Sequence, residues 1–170
     1  MRIRPVSLLA IVAALGCGEK PPPEKPFILT DVASIGFDVQ FGRGTYIGTA
    51  PVNSLTVTNE GLADLVIEDV SKTGDSAFTF VLDGQCTIQG GQRVCGPVAD
   101  VLPKTVKGKQ NTFIQVTFTP TEVRRYTGQL VIKSNADNFK ELNVGLFGCG
   151  VRAGVDGGTD VQPDGGCLPQ

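Results

Sequence analysis

The sequence predicts an all-β chain folded as a two-sheet antiparallel sandwich. Three observations carry this. Apolar and polar residues alternate with a period of two in several short runs, turn residues punctuate those runs at regular spacing, and no segment keeps a helical period. Composition agrees, with 22 Gly and 11 Pro in 170 residues. Taken in order, Leu55-Thr56-Val57-Thr58 alternates until Asn59-Glu60-Gly61 breaks it, and Leu65-Val66-Ile67 with Val70 follows up to Lys72-Thr73-Gly74-Asp75. Residues 77–82 form another short run. Phe113, Ile114, Val116 and Phe118 lead to Thr119-Pro120, where proline stops a ladder by lacking an N–H. Tyr126, Gly128, Leu130 and Ile132 alternate up to Ser134-Asn135-Ala136-Asp137, and Leu142, Val144 and Leu146 repeat the pattern before Gly148-Cys149-Gly150. Period-two alternation turns one face inward and one outward, so residues 34–151 read as one sandwich domain.

Composition also narrows the chemistry. The chain has no His and no Trp, and its formal charge of −2 gives no reason to approach nucleic acid. Without imidazole there is no Ser-His-Asp or Cys-His pair and no histidine metal ligand. No catalytic residue, metal ligand or cofactor is therefore assigned. Gly42-Arg43-Gly44 with Gly48 is followed by Thr49-Ala50-Pro51 rather than by a helix, so these are turn glycines. Lys104, Lys107 and Lys109 read as a solvated basic face, with docking of an anionic glycan or headgroup as the sharper alternative. Asp156, Asp160 and Asp164 lack the alternate spacing and closing Glu of a calcium loop, so residues 152–170 read as a Gly/Asp-rich tail, with weak calcium binding as the lesser alternative.

The N-terminus carries an address. Arg2 and Arg4 precede the apolar residues 6–15, which as a helix would reach about 15 Å, half of a ~30 Å hydrocarbon core. Residues 1–16 thus read as a signal peptide. The segment ends in Ala14-Leu15-Gly16-Cys17, which resembles the lipobox of bacterial lipoproteins. That resemblance implies diacylglycerol on the Cys17 sulfur, cleavage before it, and attachment to the outer membrane, since Gly18 is not the Asp of inner-membrane retention. Ala14-Leu15-Gly16 departs from the preferred order and also fits ordinary signal cleavage, which would make the protein secreted. Five cysteines leave one over in an exported chain; with Cys17 acylated the other four can pair. Residues 17–33 follow as the lipidated cysteine and a Pro-rich tether, Lys20-Pro21-Pro22-Pro23-Glu24-Lys25-Pro26, expected to hold the domain about 20 Å off the bilayer.

The four remaining cysteines divide into two pairs. In Cys86-Thr87-Ile88-Gln89-Gly90-Gly91-Gln92-Arg93-Val94-Cys95, Gly90-Gly91 suits a two-residue hairpin turn that needs positive φ. Counting outward sets Gln89 opposite Gln92, Ile88 opposite Arg93, Thr87 opposite Val94 and Cys86 opposite Cys95, with Cα atoms about 4.5 Å apart. That separation accepts a disulfide. Cys149 and Cys167 are then expected to pair, tying the tail to the last strand.

Val39-Gln40-Phe41-Gly42, Leu55-Thr56-Val57-Thr58-Asn59-Glu60-Gly61 and Leu65-Val66-Ile67 resemble the first half of an ASH (ASPM/SPD-2/Hydin) domain. Val116-Thr117-Phe118-Thr119-Pro120, Tyr126-Thr127-Gly128-Gln129-Leu130 with Ser134-Asn135, and residues 142–150 are similar to its second half. The resemblance implies an immunoglobulin-like sandwich of about seven strands, of the kind seen in bacterial surface proteins with assorted anchors. Residues 83–111 depart from it, being longer and carrying the cysteine hairpin. The function expected on these grounds is a lipid-anchored, non-catalytic binding or scaffolding module of the bacterial cell envelope. Its partners would be the membrane, through the lipid, and a protein or glycan of the envelope, met through end loops, a sheet edge or the hairpin. The alternative is a structural accessory subunit of an envelope assembly, and a hydrolase is the remote one.

Overall fold

The computed structural model describes residues 21–37 and 44–152. Two sheets face each other. One has four strands in the order β1 (Ile28–Thr30), β4 (Val52–Asn59), β10 (Asn111–Phe118), β6 (Phe78–Leu82). The other runs β2 (Ser34–Gly36), β12 (Glu141–Val151), β11 (Arg125–Ser134), β5 (Leu65–Gly74), β9 (Lys104–Val106), and β3 (Thr45–Tyr46) pairs with the far end of β12. All pairings are antiparallel except those of β2 and β3 with β12. Between β6 and β9 the chain forms the hairpin β7 (Cys86–Gln89) and β8 (Gln92–Cys95), then a 3-10 turn at Val98–Val101.

The predicted alternation is what closes the core. Leu55 and Val57 of β4, Ile114, Val116 and Phe118 of β10, and Leu130 and Ile132 of β11 are all fully buried and face one another between the sheets. At one end the core is aromatic: Phe78 stacks on Phe118 at 4.9 Å, and Phe118 meets Tyr126 edge-on at 5.3 Å. Gly148 makes room for this, since a Cβ there would lie 2.6 Å from the Phe118 ring.

The sandwich begins earlier than residue 34. Ile28 is fully buried, and residues 28–30 pair with β4 in register Ile28↔Asn59. The prolines before it are likewise not a free tether. Leu62 N–H donates to the Pro23 carbonyl at 2.9 Å, Ala63 to Glu24 at 3.1 Å, and Asp137 to Pro26 at 2.9 Å. Proline lacks an N–H but keeps its carbonyl, so this stretch docks as an acceptor strip on the loops. Residues 1–16, expected to be a signal peptide, together with Cys17, Cys167 and the Gly/Asp-rich segment from residue 153, lie outside the described residues.

Candidate functional site

The hairpin adopts the predicted register, with Gln89↔Gln92, Ile88↔Arg93, Thr87↔Val94 and Cys86↔Cys95 paired. Gly90 and Gly91 take φ of 59° and 80°, the positive values that the tight turn requires. Cys86 and Cys95 are joined by a disulfide with Cα atoms 4.0 Å apart, somewhat closer than the ideal non-hydrogen-bonded spacing. Cys149, buried in β12, is also disulfide-bonded, and Cys167, the partner expected for it, lies outside the described residues.

The hairpin folds over the outer face of the four-stranded sheet. Arg93 Nη2 donates to Gln115 Oε1 of β10 at 2.7 Å. Gln85 clamps its base, accepting from Gly96 N–H at 3.1 Å and donating Nε2 to the Gly96 carbonyl at 2.8 Å. Between hairpin and sheet lies a cleft of about 280 Å³, floored by Ser54, Val81, Phe113 and Gln115 and overhung by Ile88 and Arg93. Ile88 is 71% exposed and Phe113 45%, so two large apolar side chains border this cleft in contact with water. Every outward position of β4, β6 and β10 is Ser, Thr, Asn, Gln, Val or Phe, with no charge among them. The outer face of the second sheet, by contrast, presents Arg125, Lys133 and Glu141. Among the described residues Arg93 makes no ion pair, whereas its neighbour Asp83 is matched by Lys104 at 3.1 Å.

Three marginal strands, β1, β6 and β5, carry devices that discourage strand addition. Asn138 lies across β1, accepting from Ile28 N–H at 3.0 Å and donating to the Ile28 carbonyl at 2.7 Å. Gln85 does the same for β6, accepting from Leu82 N–H at 2.9 Å through its side chain and donating its own N–H to the Leu82 carbonyl at 2.9 Å. Val98 and Val101 of the 3-10 turn pack onto the core beside that strand. On β5, β9 covers residues 65–67, and beyond it Lys72 shares the inward parity of Val70 and donates Nζ to the Asp75 carbonyl at 2.7 Å. An inward-pointing lysine on an edge strand discourages pairing, because a docking strand would bury it.

The motif residues that carry the family resemblance serve the fold. Asn59, fully buried, accepts from Phe27 and Gly61 N–H at 3.2 and 3.0 Å and donates to the Ala63 and Val106 carbonyls at 2.8 and 3.1 Å. Asn135 accepts from Val66 N–H at 2.8 Å. Tyr126 Oη accepts from Thr121 and Glu122 N–H at 3.1 and 2.8 Å, fixing the crossing into β11. Over its ring lies Arg124, 3.8 Å from the centroid, which binds Asp75 at 2.8 Å. That guanidinium holds the Asp75 carboxyl below its ordinary value, with Thr127 N–H adding to the effect. The lysine cluster is spoken for as well: Lys107 pairs with Asp64 at 2.7 Å and Lys109 with Glu60 at 3.0 Å. Sequence reading missed Asn138 and Gln85, whose edge-capping role has no periodic signature.

These features define an immunoglobulin-like sandwich with side-chain caps on β1 and β6, a disulfide hairpin over one face, and no convergent set of three metal-ligating side chains among the described residues. No family model matches the sequence, and no curated protein matches it. Among solved structures the chain is similar to the ASH / PapD-like domain of human CEP192 (PapD-like domain 7), with TM-score 0.50 and 16% identity over 87% of this chain and 100% of that one. It is also similar to a protein of unknown function from Porphyromonas gingivalis, at TM-score 0.47 and 12% identity, covering 75% of this chain and 48% of that one. A C. elegans MSP family member aligns at TM-score 0.40 and 12% identity, over 71% of this chain and 95% of that one. The two-sheet fold resembles the PapD-like immunoglobulin sandwich of the CEP192 domain.

Proposed function

We propose that the protein is a non-catalytic binding or scaffolding module of the bacterial cell envelope, anchored through lipid on Cys17, at the outer membrane, and meeting a protein or glycan partner with its hairpin and the sheet face beneath. The observation that carries the reading is the uncharged face roofed by a disulfide-stapled hairpin, with Ile88 and Phe113 exposed at the cleft. A solvated sheet face normally carries charge, and a stapled projection over an uncharged one suits docking better than solubility. With strand addition discouraged at β1, β6 and β5, this face and the end loops are the surfaces offered to a partner. The test is cross-linking in intact envelopes with the full chain and with Ile88→Glu/Arg93→Glu, both exposed positions. Loss of a discrete cross-linked product in the double variant supports the reading, and an unchanged product set overturns it. Cys17→Ser should move the protein from the membrane pellet to the soluble fraction; unchanged partitioning would reject the lipid anchor.

A further inference from the structure

We propose that the end of the sandwich where the chain enters is a membrane-contacting surface, seating Leu62 and Phe139 in the lipid headgroup layer; this rests on the reading of Cys17 as the acylated residue. Three loops, residues 60–64, 107–110 and 135–140, share that end with the incoming residues 23–27. Hydrogen bonds bind them together: Leu62 N–H to Pro23, Asp137 N–H to Pro26, and Lys109 N–H to Gly61 at 3.1 Å. On this end Leu62 is 55% exposed and Phe139 50%, and the loop of each hydrogen-bonds to the docked proline strip.

The length of chain before the domain limits how far this end can lie from the anchor. From Cys17 to Pro23, the first docked carbonyl, the chain spans at most about 20 Å fully extended. Because the chain is docked from Pro23 onward, an acyl chain on Cys17 keeps these loops within about 20 Å of the bilayer, and their exposed apolar side chains can close that distance. Charge decides the manner of contact. Lys25, Lys107 and Lys109 are each neutralised locally, by Asp137 at 2.9 Å, Asp64 at 2.7 Å and Glu60 at 3.0 Å. Lys140 donates to the Asn135 carbonyl at 3.0 Å. Little net charge remains to seek anionic lipid, so contact is made by the two apolar side chains and is indifferent to headgroup charge and to salt. The hairpin cleft lies on the flank of the sandwich and stays accessible in this orientation.

The absence of tryptophan makes the test clean. Leu62→Trp and Phe139→Trp each give a single fluorophore at the proposed contact, and Tyr46→Trp gives one at the opposite end of β12, about 30 Å away. The acylated full chain is placed in phosphatidylcholine vesicles with or without chain-brominated lipid. The expected result is at least twofold quenching for Leu62→Trp and Phe139→Trp and none for Tyr46→Trp, unchanged by phosphatidylglycerol or by 0.5 M salt. Equal quenching at all three positions, none at 62 and 139, or quenching only with anionic lipid overturns the inference. Intact mass separates the two layers. A chain without diacylglycerol overturns the reading of Cys17 and this inference with it, whereas an acylated chain with unquenched loops overturns the contact alone.

Discussion

Removing one oxygen atom from Tyr126 should cost the domain about 2 kcal/mol. The phenol is 1% exposed, and its oxygen accepts from Thr121 N–H at 3.1 Å and from Glu122 N–H at 2.8 Å. In Tyr126→Phe both donors lose their acceptor while the ring keeps its edge contact with Phe118 and its place under Arg124. The hydroxyl also donates to the Glu122 carbonyl at 3.2 Å, and with all three bonds part-buried about 0.7 kcal/mol each is the appropriate scale. For a domain of this size that total lowers Tm by about 8 °C, at roughly 4 °C per kcal/mol. Urea unfolding followed by circular dichroism reads the change, with the midpoint falling and the slope m unaltered because the same surface is exposed. Tyr126→Leu serves as the companion: it also removes the ring and should cost about 2 kcal/mol more, in the range of large core truncations. A Tyr126→Phe protein within about 0.5 kcal/mol of wild type would refute the argument that this hydroxyl fixes the crossing into β11.

The remaining predictions concern the disulfides and pH. Cys86→Ser/Cys95→Ser should leave the main unfolding transition in place, since the hairpin stands outside the core. Its loop of ~10 residues is worth about 2.7 kcal/mol in the chain-entropy model, so proteolysis within the hairpin should rise about a hundredfold; an unchanged cleavage rate would deny the staple its role. Asp75 has its carboxyl held below the ordinary value by Arg124, so its contribution is present above the unfolded carboxylate range and is lost as pH falls through the depressed folded value. Asp75→Asn should therefore lower Tm at pH 6 and flatten its decline between about pH 4 and 2; parallel curves for the two proteins would refute this. Non-reducing peptide mapping should join Cys149 to Cys167. Recovery of Cys149 joined to Cys17 would remove the thiol needed for acylation, so the same map tests both assignments.

Period two was enough to locate β4, β5, β10, β11 and β12, because in each most inward residues are apolar and most outward ones polar. The hairpin register was legible for a different reason: Gly90-Gly91 fixes the turn, and a two-residue turn fixes every pair outward from it. The strands that stayed hidden are short and lack alternation. Residues 28–30 follow a proline run and precede Asp31, so Ile28 looks like a stray apolar residue until β4 offers it a ladder. Lys104-Thr105-Val106 joins the second sheet because Pro103 ends the preceding loop beside β5, a decision made by three-dimensional proximity. Edge capping was invisible for the same reason, since Asn138 closes a strand 110 positions away in sequence.

The division of labour between motif and departure is itself an argument about function. Asn59, Tyr126 and Asn135, the polar residues on which the family resemblance leans, spend their hydrogen bonds on the end loops and on the crossing into β11. None of them is left to meet a ligand. Residues 83–111 depart from the resemblance, and part of them also serves the sandwich: Gln85 caps an edge, and Val98 and Val101 pack on the core. What remains after that subtraction is Ile88, Arg93 and Val94, exposed on a staple that the domain does not need for its core and held over a face without charge. A rigid projection costs entropy to order unless something constrains it, and here a covalent bond supplies the constraint before any partner arrives. Preorganisation of that kind adds affinity only at a surface that binds, which is the physical support for proposing the hairpin face as the site of recognition.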